Sequence, residues 1–300
     1  MTITVLHSFG DDELARVFVA ATGDGSRIEF VESVQPPVPR EKKWVLIVST
    51  LKGCPVQCPI CDAGGKYSGR LSREEMLSQI EHLVTRRFPD GRIASEITKI
   101  QFARMGDPAF NPAVIEVLRD IPRKYPSRIM PSISTVAPKN CATFIDSLKQ
   151  VKDELYGDGL FQMQFSIHTT DDVRRRMLIP VATLPLAEIR RFGDRFFETG
   201  DRKITLNFAA VQGFEIDADV IAGLFSPDSF IIKLTPVNPT FASQAAGLEG
   251  VITEDPQTAT PLRDSFQKHG FDVIVSIGEM RENQIGSNCG MYVAKSLYRS

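Results

Sequence analysis

The amino-acid sequence predicts an α/β fold, a partial (βα)6 barrel with a small N-terminal β-ribbon. Three observations carry this expectation. From residue 44 onward, short β-branched or apolar runs alternate with helical stretches, the pattern of parallel strands joined by crossover helices. Before residue 44 the chain reads as short strands and a proline-rich link, without helical periodicity. Directly after the first barrel run, three cysteines crowd into one loop.

The N-terminal segment reads as strands over 15–21 and 27–34, with Gly23-Asp24-Gly25 as the turn between them. Gln35-Pro-Pro-Val-Pro39 then makes an extended link. This divides the chain into a ribbon and linker over 1–43 and a barrel over 44–300, whose C-terminal loop carries Cys289. Barrel strands are expected over 44–49, 98–103, 128–133, 163–168, 203–209, 230–234 and 271–276, enough for about six βα units in an open or closed barrel. Over 72–88, Met76, Leu77, Ile80, Leu83, Val84 and Phe88 fall on one helical face. Ser72 with Glu75 reads as the capping box of that helix. Asn111 and Pro112 open the next helix as N-cap and N1 proline, with Ile115, Leu118 and Ile121 inward. Further helices are expected over 139–153, 185–198, 217–224 and 258–269.

Composition bounds the function. The chain has 300 residues, 42% hydrophobic and 24% charged, enough for a sizeable core. Net charge is −2, so no global basic field is present to hold a polyanion, although a local basic patch could do so. The doublets and triplet Arg86-Arg87, Arg174-Arg-Arg176 and Arg190-Arg191 read as solvated helix faces rather than a phosphate track. No apolar run is long enough to span a membrane and no leader signal opens the chain, so a soluble, cytoplasmic protein is expected. An odd count of five cysteines suits free thiolates in a reducing compartment better than a disulfide scaffold.

The cysteines lie in Gly53-Cys-Pro-Val-Gln-Cys-Pro-Ile-Cys-Asp62, with C-x3-C-x2-C spacing. Three thiolates, Cys54, Cys58 and Cys61, can hold a [4Fe–4S] cluster by three irons and leave the fourth open. A cluster used only for electron transfer normally takes four cysteines. The loop follows a barrel strand and so lies at the C-terminal mouth, where α/β barrels carry their chemistry. Structural zinc wants four ligands, and neither a second CxxC nor a nearby loop histidine supplies them; His82 lies inside an expected helix. A [4Fe–4S] site is favoured over zinc and over core cysteines.

With that loop followed by a βα barrel, the chain resembles the radical S-adenosylmethionine (SAM) superfamily, whose signature is CxxxCxΦC. Ile60 takes the Φ place, near the adenine of SAM in the family. The resemblance implies that the amino and carboxylate groups of SAM chelate the open iron. It also implies an external electron donor of the flavodoxin or ferredoxin type, and cleavage of SAM to a 5′-deoxyadenosyl radical. Further segments narrow the resemblance to the RlmN/Cfr group, radical SAM methyl synthases acting on an rRNA adenine. Met105-Gly-Asp-Pro-Ala-Phe-Asn111 is similar to its MGxGEPLxN segment, with Asp107 for glutamate. Ser132-Ile-Ser-Thr-Val-Ala-Pro138 is similar to STSGVVP, and Phe165-Ser-Ile-His168 to SLH. Met177-Leu-Ile-Pro180, Leu234-Thr-Pro-Val-Asn-Pro239 and Ile285-Gly-Ser-Asn-Cys-Gly290 follow in the same order.

On that resemblance, Gly106, Asp107, Pro108, Ser132, Ser134, Ser166, His168, Asn238 and Ile60 are the expected cofactor-binding residues. At most one of Ser132 and Ser134 is expected to face the pocket. Cys289 is the expected methyl carrier and Glu29 a second catalytic candidate near the substrate. The family's resolving cysteine falls at Ile47, which has no acid–base or redox chemistry. Cys141 reads as a small buried helix residue. Glu29, Asp62 and Tyr67 are the available groups for releasing a covalent adduct; Tyr67 and Arg70 could also line the pocket. The family's N-terminal helical RNA-binding domain has no counterpart in 1–43. Methyl or methylene transfer to an sp2 carbon of a small heteroaromatic or biosynthetic substrate is therefore expected ahead of RNA. Three alternatives stand beside it: an rRNA or tRNA adenine methyltransferase, direct hydrogen abstraction without methyl transfer, and a cluster-bearing sensor.

Overall fold

A computed structural model of the chain describes residues 3–278, 280–286 and 292–293. Its centre is a ten-stranded sheet. The first three strands, β1 (Thr4–Gly10), β2 (Ala15–Ala21) and β3 (Arg27–Ser33), form an antiparallel ribbon. β3 then pairs antiparallel with β4 (Lys43–Val48). The ribbon is thus one edge of the main sheet rather than an appendage. β1 was not expected from sequence: it is almost wholly exposed, so its residues carry no burial pattern to read.

A two-residue strand β5 (Leu51–Lys52) pairs with β6 (Gly69–Arg70) just beyond β4. The remaining strands are β7 (Ile97–Phe102), β8 (Ile129–Thr135), β9 (Gln162–Ser166), β10 (Ile204–Ala209), β11 (Phe230–Thr235) and β12 (Val273–Val275). They follow β4 in that spatial order, all parallel. Among the described residues β4 and β12 do not pair, so the barrel is open.

Helices α1 (Arg73–Arg87), α2 (Ala113–Lys124) and α3 (Ala142–Leu155) connect the early strands. The short α4 (Arg175–Leu178) precedes α5 (Leu186–Phe196), α6 (Ala218–Leu224), α7 (Phe241–Ala245), α8 (Thr260–Lys268) and α9 (Met280–Ile285). The capping box stands as the sequence implies: Glu75 N–H donates to Ser72 Oγ at 3.1 Å, and Ser72 N–H to the Glu75 carboxylate at 2.8 Å. No helix among the described residues is long and apolar enough to cross a membrane.

The central strands alternate in a way that decides where the site can be. In β7, Thr98, Ile100 and Phe102 are buried, while Lys99 and Gln101 are partly open. In β9, Met163 and Phe165 alternate with Gln162, Gln164 and Ser166. In β11, Phe230, Ile232 and Leu234 alternate with Ile231, Lys233 and Thr235. The apolar face packs with the helices into one large core. Successive side chains of a strand point to opposite faces, so the polar set lines the concave side. Closed α/β barrels fill that side with bulky apolar residues; here it encloses a cavity of about 470 Å³.

Candidate active site

The loop after β4 carries the cysteines, and its base is tightly held. Thr50 and Leu51 N–H groups both donate to Met105 O, at 2.9 and 3.0 Å. Asn111, buried ahead of α2, donates to Thr50 O and Leu71 O, each at 2.8 Å. Gly106 has φ +89, and a Cβ there would stand 2.3 Å from Leu51 Cβ. Glycine alone lets the β4 and β7 loops approach this closely.

Cys54, Cys58 and Cys61 all border the cavity and are partly buried free thiols. Burial raises the Cys54 pKa, and the neighbouring Asp107 adds to the rise; the N–H groups of Val56, Asp107 and Gln57 oppose it. Burial, then Cys54, then Asp107 push the Cys58 thiol up to about 12. A group that makes thiolates here must bring positive charge, as a metal does. Among the described residues no three His, Cys, Asp or Glu side chains could hold a single metal ion. This leaves room for an iron–sulfur cluster, in which each thiolate binds a different iron.

Asp107 begins a short turn over Pro108–Phe110. Its carboxylate accepts from Ala109 N–H at 2.9 Å, Val136 N–H at 2.7 Å and the Thr135 hydroxyl at 2.9 and 3.0 Å. Burial is the largest influence on it and raises its pKa to about 6. With three donors already engaged, roughly one acceptor position of its four remains for a ligand.

His168 sits in the left-handed backbone region at φ +67. Its Nδ1 accepts from Ala209 N–H at 3.0 Å, which puts the proton of the neutral ring on Nε2. Burial, then the nearby Arg175, hold its pKa at about 4, so the ring is neutral near pH 7. Arg175 is fully buried and donates to Leu184 O, Val136 O and Ser166 O. It ties the loop after β8 to the end of β9.

The cavity wall includes Ile60, Gly106, Asp107, Ser132, Ser134, Ser166, His168 and Asn238 with the three cysteines. Both serines of β8 face it, contrary to the expectation of one, because residues two apart in a strand share a face. Pro108 is buried and does not line the cavity. Ile47 does line it. Cys141 is buried in the core at the start of α3. Asp62 caps α7, accepting from Phe241 and Ala242 N–H. Asp62, Tyr67 and Arg70 are not among the cavity residues.

Glu29 is also absent from the cavity wall. Its carboxylate is buried against Arg104, which donates from Nη2 at 2.6 Å and from Nε at 3.1 Å. Its other oxygen accepts from Val293 N–H at 2.6 Å, while Arg104 Nη2 donates to Gly286 O at 2.8 Å. The pair thus grips the chain on both sides of position 289. Cys289 itself lies outside the described residues.

Arg174, Arg176, Arg190 and Arg191 are exposed, as expected of a solvated face, but three other arginines are not. Arg86 and Arg87 pair with the buried Glu32, and Arg175 is interior. Lys99, Gln101, Gln162, Gln164, Asn207 and Lys233 also stand on the cavity wall, and no motif in the sequence marks them. The alternations Lys-Ile-Gln-Phe in β7 and Gln-Met-Gln-Phe in β9 were the available signal.

Comparison with known proteins agrees with this architecture. No protein-family model matches the chain. It is 27% identical over 299 residues to a probable dual-specificity RNA methyltransferase RlmN of Frankia casuarinae, covering 95% of this chain and 66% of that protein. It is also 27% identical over 282 residues to the corresponding protein of Thermus thermophilus, covering 91% of this chain and 72% of that one. The chain spans about two thirds of the length of the curated relatives it matches. Among solved structures, a radical SAM methyltransferase from Sphaerobacter thermophilus superposes with a TM-score of 0.76 at 21% identity, over 97% of this chain and 81% of that one. Streptococcus suis SuiB bound to S-adenosylmethionine superposes with a TM-score of 0.53 at 13% identity, over 79% of this chain and 50% of that one. At these identities the two structures bear on the fold.

Proposed function

We propose that this chain, a relative of the RlmN-type radical SAM methyltransferases, is itself a radical SAM enzyme that transfers a methyl or methylene group to an sp2 carbon. Cys54, Cys58 and Cys61 would hold a [4Fe–4S] cluster, and the adjoining cavity would take SAM. Together, when bound, these groups supply one-electron reductive cleavage of a carbon–sulfur bond of SAM. The observation that carries the reading is the cysteine triplet on the wall of a polar cavity, beside the glycine turn of Gly106 and Asp107.

The protein's own residues supply binding and orientation. Ile60 contributes apolar surface beside Cys54 and Cys58. Ser132, Ser134, Ser166 and Asn238 offer hydrogen bonds around the cavity, and neutral His168 can donate from Nε2. Asp107 holds the Thr135–Val136 turn and retains limited capacity for the SAM amino group. Pro108 fixes the turn over Pro108–Phe110 rather than touching a ligand. Cys289 is the methyl carrier of this scheme, and Glu29 with Arg104 holds the chain at Gly286 and Val293. Glu29 is therefore better suited to positioning than to proton transfer, since both its oxygens are engaged. Ile47 puts an alkyl side chain on the cavity wall where the family resemblance implies a resolving cysteine.

A small polar substrate is favoured, because the cavity interior is lined by amides, hydroxyls and amines. The names of the curated relatives favour RNA instead. Anaerobic reconstitution followed by turnover with SAM and reductant tests both readings. A methylated Cys289 peptide supports the carrier role, and methyl incorporation into bulk RNA would decide for the RNA substrate.

A further inference from the structure

The cavity continues past the cysteines along the polar faces of β7, β9, β10 and β11, and its wall carries two lysines, Lys99 and Lys233. Lys99 is three residues before the end of β7, roughly 10 Å below the mouth at the rise of a strand. Lys233 is paired in register with Asn207 on β10. Neither lysine has a carboxylate partner among the described residues, although surface lysines of this protein commonly do. Asn207 is only 9% exposed, lines the same cavity, and its Oδ1 has no hydrogen-bond partner.

Both lysines are half-buried in the cavity wall, where a charge without a counter-charge is costly, and an anionic ligand would complete the pairing. Burial, then Lys43, Lys233 and Arg202, lower the Lys99 pKa to about 7. Burial lowers that of Lys233 as well. No carboxylate offsets either shift. Gln101, Gln162 and Gln164 add amide donors to the same wall.

We infer that Lys99 and Lys233 form an anion subsite inside the barrel, which takes the carboxylate or phosphate of a small-molecule substrate. This deepens the small-substrate reading above and rests on it. The alternatives for the lysines are the carboxylate of SAM itself and no ligand at all.

The test uses the cluster-reconstituted protein under anaerobic conditions. Calorimetric titration with inorganic phosphate, and separately with succinate, is compared with chloride at matched ionic strength. Binding of phosphate alone, succinate alone or both defines the headgroup and supports the subsite. Lys99→Met and Lys233→Met should each weaken that binding about tenfold or more, equivalent to about 1.4 kcal/mol. Asn207→Asp, nearly isosteric, adds a like charge and should weaken it as well. SAM affinity and uncoupled 5′-deoxyadenosine formation should persist in all three. Failure of both anions to bind the wild type, or unchanged binding in the lysine variants, overturns the inference. So does an equal loss of SAM affinity, which would assign the lysines to SAM. If anions bind as described but 5′-deoxyadenosine never forms, the subsite stands and the proposed reaction fails.

Discussion

Glu29 and Arg104 form a buried ion pair whose spare hydrogen-bonding atoms hold the C-terminal segment at two points, Gly286 and Val293. β3, the β7 loop and the C-terminal segment therefore meet at one charge pair. Removing one partner strands the other charge. Glu29→Ala should destabilise the protein by about 3–5 kcal/mol. Glu29→Met combined with Arg104→Met should cost far less. Both variants should expose the C-terminal segment to limited proteolysis and reduce Cys289 methylation, read by peptide mass. Loss of methylation with an intact, protease-resistant C-terminal segment would instead point to direct chemistry by Glu29.

Arg175 is a second interior charge, held by three carbonyl oxygens from two loops and a strand end. Arg175→Ala leaves those acceptors without a donor and should cost about 3 kcal/mol or more. Arg175→Lys keeps the charge but cannot reach in three directions, so its loss should be intermediate. Chemical denaturation checks the order. A variant that unfolds normally but loses SAM binding would mean that Arg175 shapes the mouth without supporting the fold.

Gly106→Ala combines a strained φ with a clash against Leu51. Relief requires the β4 and β7 loops to separate, which would displace the cysteine loop from Asp107. The expected result is a loss of about 1–3 kcal/mol and a reduced iron content after reconstitution. Full iron loading at wild-type stability would show that the close approach is dispensable.

Anion affinity should depend on pH through Lys99. Its ammonium is charged below about 7 and neutral above it. The groups acting on it are Lys43, Lys233 and Arg202, all cationic, and a bound anion would shift the step upward. Affinity for a dicarboxylate of constant charge should therefore be highest in acid and fall as pH rises through neutrality. Lys99→Met should remove that step. An unchanged pH profile in the variant would assign the titration elsewhere.

Much of the architecture was legible in the sequence, because both its periods are strong. All seven barrel strands and the six longer helices lie where the alternation puts them. The edge strand β1 escaped because an exposed strand has no buried side to announce it. The cysteine loop was readable from spacing, and most of the motif residues beside it reach the cavity. A run of three arginines looks solvated until the loop carbonyls that surround Arg175 are known. The lysines and glutamines of the interior are hidden in the sequence for a related reason. Alternating polar residues normally mark a solvent face, and only the sheet topology shows that this face encloses a cavity. The pairing of Glu29 with Arg104 joins residues 75 apart in sequence, beyond the reach of local pattern.

Radical chemistry on SAM at Cys54, Cys58 and Cys61 is open to direct test. The most direct measurement is 5′-deoxyadenosine, quantified by mass spectrometry after anaerobic reconstitution with iron and sulfide and reduction in the presence of SAM. It should form in the wild type and be lost in a variant with all three cysteines changed to alanine. A fully loaded, reduced cluster that binds SAM yet yields no 5′-deoxyadenosine would contradict that chemistry.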